Sequence, residues 1–162
     1  MTRNMKKLTY SGILIALAVV CSAFYIPVGP AKCFPIQHMV NVLAAVMLGP
    51  AYGVIMAFIT SLLRVILGMG SLLAFPGSMI GALCAGLLYK AFPKIGYAVL
   101  GEVVGTGVLG ALAAYPVAVF LMGQASALFA FVIPFSVSTL GGSLLSILIL
   151  LALKKTRLLE RI

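Results

Sequence analysis

Charged residues are scarce in this chain, and tryptophan is absent. Only 8% of the 162 residues are charged, and two are acidic, whereas 64% are hydrophobic. The mean hydropathy is +1.26. Ordinary soluble domains carry about 25% charged residues. The composition therefore excludes a water-soluble globular protein and indicates a protein that lies in a lipid bilayer.

Residue types that support catalysis or metal binding are also few. The chain has one histidine, and its three cysteines form no Cys-x-x-Cys pair. A zinc site or a carboxylate-bound Mg²⁺ site needs more clustered ligands than this. The phosphate-binding loop Gly-x-x-x-x-Gly-Lys-Ser/Thr is missing, so the chain itself does not hydrolyse ATP. We predict no metal, no cofactor and no enzymatic activity.

Apolar runs separated by proline, glycine and charged residues predict a bundle of six membrane-spanning helices, all of it one membrane domain over residues 1–162. A bilayer core about 30 Å thick needs about 20 apolar residues per helix, so loops must be short. The second run is short, and Pro50 opens the third directly after it. Pro116 and Pro134 predict kinks or early ends in the last two helices. The predicted spans are 8–26, 36–49, 51–68, 73–92, 95–122 and 127–153.

Basic residues are concentrated in three places along the chain. The net charge is +9, but no stripe of basic and exposed aromatic residues suggests a nucleic-acid partner. If the N-terminus lies in the cytoplasm, nine of the eleven basic residues fall on that side, which agrees with the positive-inside rule. We therefore predict both termini inside. The nine are Arg3, Lys6, Lys7, Lys90, Lys94, Lys154, Lys155, Arg157 and Arg161.

Polar side chains are predicted in the outer half of the membrane. Arg64 lies about 20 Å along helix 3, and an ionisable residue at that depth faces a cavity or a partner, unless it snorkels to the outer interface. Glu102 lies closer to the cytoplasm. It could line the floor of a cavity, carry a proton or contact a lysine on the cytoplasmic side. The outer set comprises Lys32, Gln37, His38, Asn41, Arg64, Ser71, Ser78, Tyr115 and Gln124.

Small residues recur at four-residue spacing on three predicted helices, a pattern that lets helix backbones approach closely. On helices 4 and 5 the pattern predicts packing within the bundle. On helix 1 it leaves open whether the face packs internally or docks a separate membrane subunit. The pairs are Gly12/Ala16 and Ala18/Ser22 on helix 1, Gly77/Gly81 and Gly81/Ala85 on helix 4, and Gly101/Gly105 and Gly110/Ala114 on helix 5.

The whole pattern resembles the S-components of energy-coupling-factor (ECF) vitamin transporters. These have six helices, a short second helix, a small-residue helix 1 and no ATPase motif. Segment 28–41, VGPAKCFPIQHMVN, and segment 64–81 are similar to the ThiW family, which is assigned to the thiazole precursor of thiamine. The resemblance implies a prokaryotic cytoplasmic membrane. It further implies a transmembrane coupling subunit docked on Gly12, Ala16 and Ala18, and two ATPase subunits that supply energy.

The resemblance also implies a ligand site near the outer side, among the first outer loop, the loop between helices 3 and 4, and helices 4 to 6. S-components commonly stack vitamin rings on tryptophan, so here Phe34, Phe75 or Tyr115 is expected to do so. With the outer polar set, the expected site contains Lys32, Phe34, Gln37, His38, Asn41, Arg64, Ser78 and Tyr115. Its basic residues disfavour a cation such as thiamine. They suit neutral hydroxyethylthiazole, and its phosphate ester would suit Arg64 better still.

Three alternatives stay open. The chain could be an S-component for another vitamin. A free-standing proton-coupled carrier would depend on Glu102. An intramembrane hydrolase would need Ser78 and His38 within hydrogen-bond reach of each other.

Overall fold

Helices make up most of the structure, a computed structural model that describes residues 3–28 and 31–156. Within these ranges six helical runs and one short β-hairpin follow one another. Gly29, Pro30, Arg157 and Arg161, which entered the predictions above, lie outside the described residues. The elements are α1 (Arg3–Val20, continued by a 3₁₀ turn Cys21–Ala23), β1 (Ile26–Val28), β2 (Ala31–Cys33), α2 (Pro35–Met47), α3 (Pro50–Ile66), α4 (Ala74–Ala91), α5 (Ile95–Leu121) and α6 (Val132–Lys155).

In the described ranges, three helical stretches are long and apolar enough to cross a membrane: Asn4–Ala23, α5 and α6. The apolar helices α2 and α3 are shorter, with 13 and 17 residues. Pro50 opens α3, as predicted. The sixth span was expected from residue 127, but α6 begins at Val132. Pro134 therefore sits in the first turn, where its missing N–H breaks no helical hydrogen bond, and the expected kink is wrong.

Pro116 does not end α5, which runs on to Leu121. The helix instead contains two π-helical stretches, Gly105–Gly110 and Val117–Leu121. A π-helical turn takes in more residues than an α-helical turn, so it rotates the faces of the helix that follows. Side-chain directions beyond residue 105 therefore differ from those of a regular helix.

The short helix α2 is the centre of the bundle. Every residue from 37 to 45 is buried, and α2 contacts all the other helices. Apart from three polar residues, α2 is apolar, so burial inside the protein suits it. Its polar side chains, Gln37, His38 and Asn41, therefore lie inside protein rather than in lipid.

The small-residue faces of α4 and α5 pack against each other, as predicted. A Cβ atom built on Gly101 would lie 2.5 Å from the carbonyl oxygen of Cys84, and one on Gly105 would lie 2.9 Å from the Cα of Gly81. Only glycine permits this distance between the two backbones. The close crossing brings Glu102, on α5, next to the residues of α2 and α4.

The first helix lies at the periphery of the bundle. Gly12 and Ala16 are exposed, and a Cβ atom added at Gly12 would meet no other atom within 4 Å. Ala18 is only 1% exposed and packs into the core beside Leu14. The prediction that all three small residues share an outer docking face is therefore wrong for Ala18, because it points towards the bundle.

The segment expected as a plain outer loop contains the antiparallel β1–β2 hairpin. Three-residue strands, one of them containing a proline, leave no periodic signal in a sequence. The Cys33 thiol donates to the carbonyl oxygen of Pro134 at 3.0 Å, and the Phe34 N–H donates to Ser138 Oγ at 2.8 Å. These bonds fix the hairpin to the start of α6, at the end of the bundle where α2 also begins.

Candidate ligand-binding cavity

A cavity of about 240 Å³ lies at the hairpin end of the bundle. It is enclosed by β2, α2, α3, α4 and α6 and by the segments that follow α3 and α5. Ligand sites for drug-sized molecules start at about 300 Å³, so this one suits a small ligand. Among the residues that the structure describes, none of those lining the cavity is acidic. The polar side chains are Lys32, Gln37, His38, Arg64, Ser71, Ser78, Gln124 and Ser138.

Arg64 is the buried cation of this cavity. It lies in the last turn of α3 and is 1% exposed, which rules out the snorkelling alternative. Its guanidinium carbon lies 3.7 Å from the centroid of the Phe34 ring, and Nη1 donates a long hydrogen bond of 3.4 Å to Gln37 Oε1. Nε and Nη2 are buried, and no residue in the described part of the chain is their hydrogen-bond partner. A buried arginine with two unused donors is costly unless a ligand or partner satisfies them.

Cations and aromatic rings alternate at the cavity mouth. The Phe34 ring lies between Arg64 and Tyr25, with 6.0 Å between the two ring centroids. Lys32 Nζ in turn lies 4.4 Å from the Tyr25 ring. Cation–π contacts of this kind are favourable and orient the planar guanidinium. The hairpin and the residues next to it therefore position the aromatic ring that packs against Arg64.

Glu102 is fully buried and lies behind the cavity wall, because it is not among the cavity-lining residues. Its Oε1 is 2.8 Å from His38 Nδ1 and accepts from Asn41 Nδ2 at 3.1 Å and from Thr106 Oγ1 at 2.9 Å. Oε2 has no partner. Glu102 is thus neither an exposed floor nor the contact of a lysine. It orients His38, leaving Nε2 as the ring nitrogen that a ligand can reach.

A chain of side chains links the two ionisable groups. Arg64 donates to Gln37, and Gln37 Nε2 lies 3.5 Å from Asn41 Oδ1, which is a long contact. Asn41 then donates to Glu102 and to the backbone oxygen of Ser78. The cavity wall and the α5 carboxylate therefore belong to one polar network.

Ser78 lines the cavity, but its hydroxyl has other partners. It donates to the Ala74 carbonyl at 2.8 Å and lies 3.0 Å from Ser61 Oγ. The imidazole of His38 is bound to Glu102 through Nδ1. This arrangement gives no support to a Ser78/His38 hydrolase. Among the described residues, no three His, Cys, Asp or Glu side chains come together to hold a metal ion.

The structure brings most of the predicted site residues together. Asn41 lies one layer behind the cavity, in contact with Glu102. Tyr115 is half-buried on α5 and does not line the cavity, since it follows the first π-helical stretch, which changes the direction of its side chain. Phe75 packs against Phe58 instead, at 5.6 Å between ring centroids. The predicted residues that line the cavity are Lys32, Phe34, Gln37, His38, Arg64 and Ser78.

Sequence analysis did not identify several residues of the site. Thr106 stands four positions after Glu102, a spacing that places both on one helix face and could have identified it. Phe135 and Ser138 line the cavity from α6, and Met69 and Gly70 line it from the segment after α3. Nothing local marks these four, because their position depends on how α6 and that segment pack.

The overall architecture matches a solved structure described as the S component of a bacterial ECF transporter. The TM-score is 0.80 at 19% identity, over 95% of this chain and 98% of the other. At that identity the match establishes a shared fold. None of the curated proteins matches the chain in sequence. The chain belongs to the ThiW family of thiamine-precursor transporter proteins, which it matches over residues 8–156. It is therefore a transporter protein rather than an enzyme.

Proposed function

We propose that this chain is the substrate-binding S component of an ECF-type vitamin importer and that its ligand is the thiazole precursor of thiamine, hydroxyethylthiazole. The observation that carries the proposal is the small cavity with the buried Arg64 in its wall. Membership of the ThiW family and the S-component fold support it. The chain makes and breaks no bond in this role.

The cavity wall contains both a hydrogen-bond donor and a hydrogen-bond acceptor. The guanidinium of Arg64 is a donor, and His38 Nε2 accepts when Nδ1 donates its proton to Glu102. A thiazole ring with a hydroxyethyl arm has a ring-nitrogen acceptor and a hydroxyl donor. Phe135 supplies an apolar wall beside Gly77, while one face of Phe34 is already covered by Arg64. A lining with two cations and no carboxylate disfavours intact thiamine.

All six helices cross the membrane in this proposal, as a single domain with both termini in the cytoplasm. The cavity then opens at the outer face. Lys90, Lys94, Lys154 and Lys155 lie at the ends of helices remote from the hairpin, in agreement with the positive-inside rule. Because α2 is enclosed by protein, its limited length does not expose polar backbone to lipid.

The partners in this proposal are a transmembrane coupling subunit and two ATPase subunits. The chain has no phosphate-binding loop, so in this proposal other chains hydrolyse the ATP. Gly12 and Ala16 form the docking face for the coupling subunit, since both are exposed on the peripheral helix.

A thermal-shift titration of the purified protein tests the ligand, because a molecule that binds only the folded state raises the melting temperature. We expect hydroxyethylthiazole to raise it and thiamine, riboflavin and biotin to have little effect. Phe135→Leu should reduce the shift, whereas Phe75→Leu, an aromatic outside the cavity, should preserve it. A larger shift with thiamine than with hydroxyethylthiazole would contradict the assignment.

A proton-coupled carrier is the second candidate, because a buried carboxylate paired with histidine is an arrangement that can carry a proton. Uptake in cells separates the two. The S-component proposal requires uptake that depends on the ATPase subunits and survives an uncoupler. Uptake that an uncoupler abolishes and that Glu102→Gln also abolishes would favour the carrier.

A further inference from the structure

The two unpaired nitrogens of Arg64 belong to the same edge of the guanidinium. Gln37 occupies Nη1, and Phe34 covers one face of the group, so the Nε–Nη2 edge is the part without a partner. Two parallel N–H groups on one edge match the two oxygens of a carboxylate or phosphate. Neither the described protein atoms nor bulk solvent satisfies this edge.

The charge of Arg64 also lacks a direct counter-ion. Glu102 is the one acidic residue in the described part of the chain, and it is engaged by His38, Asn41 and Thr106 behind the wall. No described carboxylate lies within salt-bridge distance of the guanidinium. Lys32 adds a second positive charge at the cavity mouth. A ligand that enters this cavity therefore meets positive charge without a competing anion.

We propose that the cavity recognises an oxyanion on its ligand, bound in a bidentate manner by the Nε–Nη2 edge of Arg64, and that the preferred ligand is the phosphate monoester of the thiazole alcohol. This inference rests on the proposed function and, within its thiazole class, moves the preferred ligand from the free alcohol to the phosphate ester. Phe34 holds the guanidinium plane in place, and Gln37 holds Nη1. The heterocycle then occupies the part of the cavity next to Phe135.

The expected consequence is discrimination between the phosphate ester and the free alcohol. A charged, bidentate contact with a desolvated arginine is much stronger than a hydrogen bond to a neutral hydroxyl. We expect the ester to bind to the wild-type protein at least about ten-fold more tightly than the alcohol. Affinity for the ester should fall with added salt more than affinity for the alcohol.

The test is a set of calorimetric titrations of the purified wild-type protein with hydroxyethylthiazole, hydroxyethylthiazole phosphate and inorganic phosphate. Arg64→Gln should reduce the preference for the ester to less than about three-fold. Arg64→Lys keeps the charge but loses the bidentate edge, so most of the preference should also disappear. Lys90→Gln is the matched control, because it removes one exposed positive charge far from the cavity and should leave the preference unchanged.

The outcomes separate the inference from the function on which it rests. A wild-type protein that binds the alcohol as tightly as the ester, or more tightly, overturns the oxyanion inference and leaves the thiazole function standing. This comparison needs no variant, so it holds even if the Arg64 variants fold poorly. Binding of inorganic phosphate alone would support the oxyanion site and remove the thiazole assignment. Binding of none of the three would overturn both.

Discussion

Glu102 is a carboxylate that no solvent reaches, and three side chains from α2 and α5 surround one of its oxygens. Burying a charge is tolerable only when such hydrogen bonds compensate for lost hydration. The glycine opposite makes this possible, since a Cβ atom on Gly81 would lie 2.8 Å from Glu102 Oε2. At the residue scale, the stability of the site therefore depends on the hydrogen bonds that Glu102 Oε1 makes.

Glu102→Gln tests that dependence with little change in shape. We expect a loss of about 1–3 kcal/mol in the free energy of unfolding, because a charge-assisted acceptor becomes a neutral one. Thr106→Val removes one donor only and should cost about 1 kcal/mol. Thermal unfolding in detergent measures both. Wild-type stability for Glu102→Gln would contradict this dependence.

The Cys33 thiol is expected to be chemically inert in the folded state. As the last residue of β2 it is buried and donates to the Pro134 carbonyl, and burial raises the pKa of the Cys33 thiol. Because the thiolate is the reactive form, a raised pKa leaves less of it at neutral pH. A variant that keeps only this cysteine should label slowly with maleimide at pH 7, faster as the pH rises, and fully in denaturant. Rapid labelling at pH 7 in the folded state would contradict the burial.

At the scale of the element, the α4–α5 crossing depends on backbone contact. A Cβ atom on Gly101 would meet the backbone of α4, which cannot move without separating the helices. Gly101→Ala should therefore destabilise the protein by about 1–3 kcal/mol, as overpacking does in other cores. Gly96→Ala is the control on the same helix, since a Cβ atom there would have no neighbour within 4 Å. Equal melting temperatures for both variants would contradict the close crossing.

The peripheral helix α1 offers a separate prediction about transport. Gly12→Leu and Ala16→Leu enlarge an exposed face, so ligand binding to the isolated protein should be unchanged while uptake by the assembled transporter falls at least about ten-fold. Ala152→Leu on α6 adds the same bulk at another exposed position and should leave uptake intact. Thermal shift measures binding, and uptake of labelled thiazole in cells measures transport. Normal uptake in both α1 variants would exclude this face as the docking surface.

At the scale of the whole molecule, the proposed orientation puts the cavity outside and the α4–α5 turn inside. In a cysteine-free background, Ala125→Cys in the segment after α5 should react with a membrane-impermeant maleimide added to intact cells. Lys94→Cys should react only after the membrane is opened. Both positions are exposed in the structure, so access to the reagent reports sidedness rather than burial. The reverse labelling pattern would place both termini outside.

Much of the architecture could be predicted because each helix carries its own signal. Apolar runs and breaks at positions such as Gly49-Pro50 mark where helices begin and end, and these depend on local sequence alone. The cavity was only partly predictable. Gln37, His38 and Arg64 stood out as polar groups in apolar surroundings, whereas Phe135 looks like any other apolar residue of α6. Tyr115 was misplaced because a π-helical stretch changes the helix phase without a clear sequence signal.

The sequence alone determined that this is a helical membrane protein and that a short helix follows the first loop. It also determined which polar residues lie within apolar segments. Those properties follow from hydropathy and charge, which are local. Only the tertiary structure decided that Glu102 pairs with His38 rather than with a cation, that Ala18 faces inward, and that one edge of Arg64 has no partner. These contacts depend on how each helix is rotated and on the close helix approach at Gly81 and Gly101. At both positions the absence of a Cβ atom decides which side chains meet.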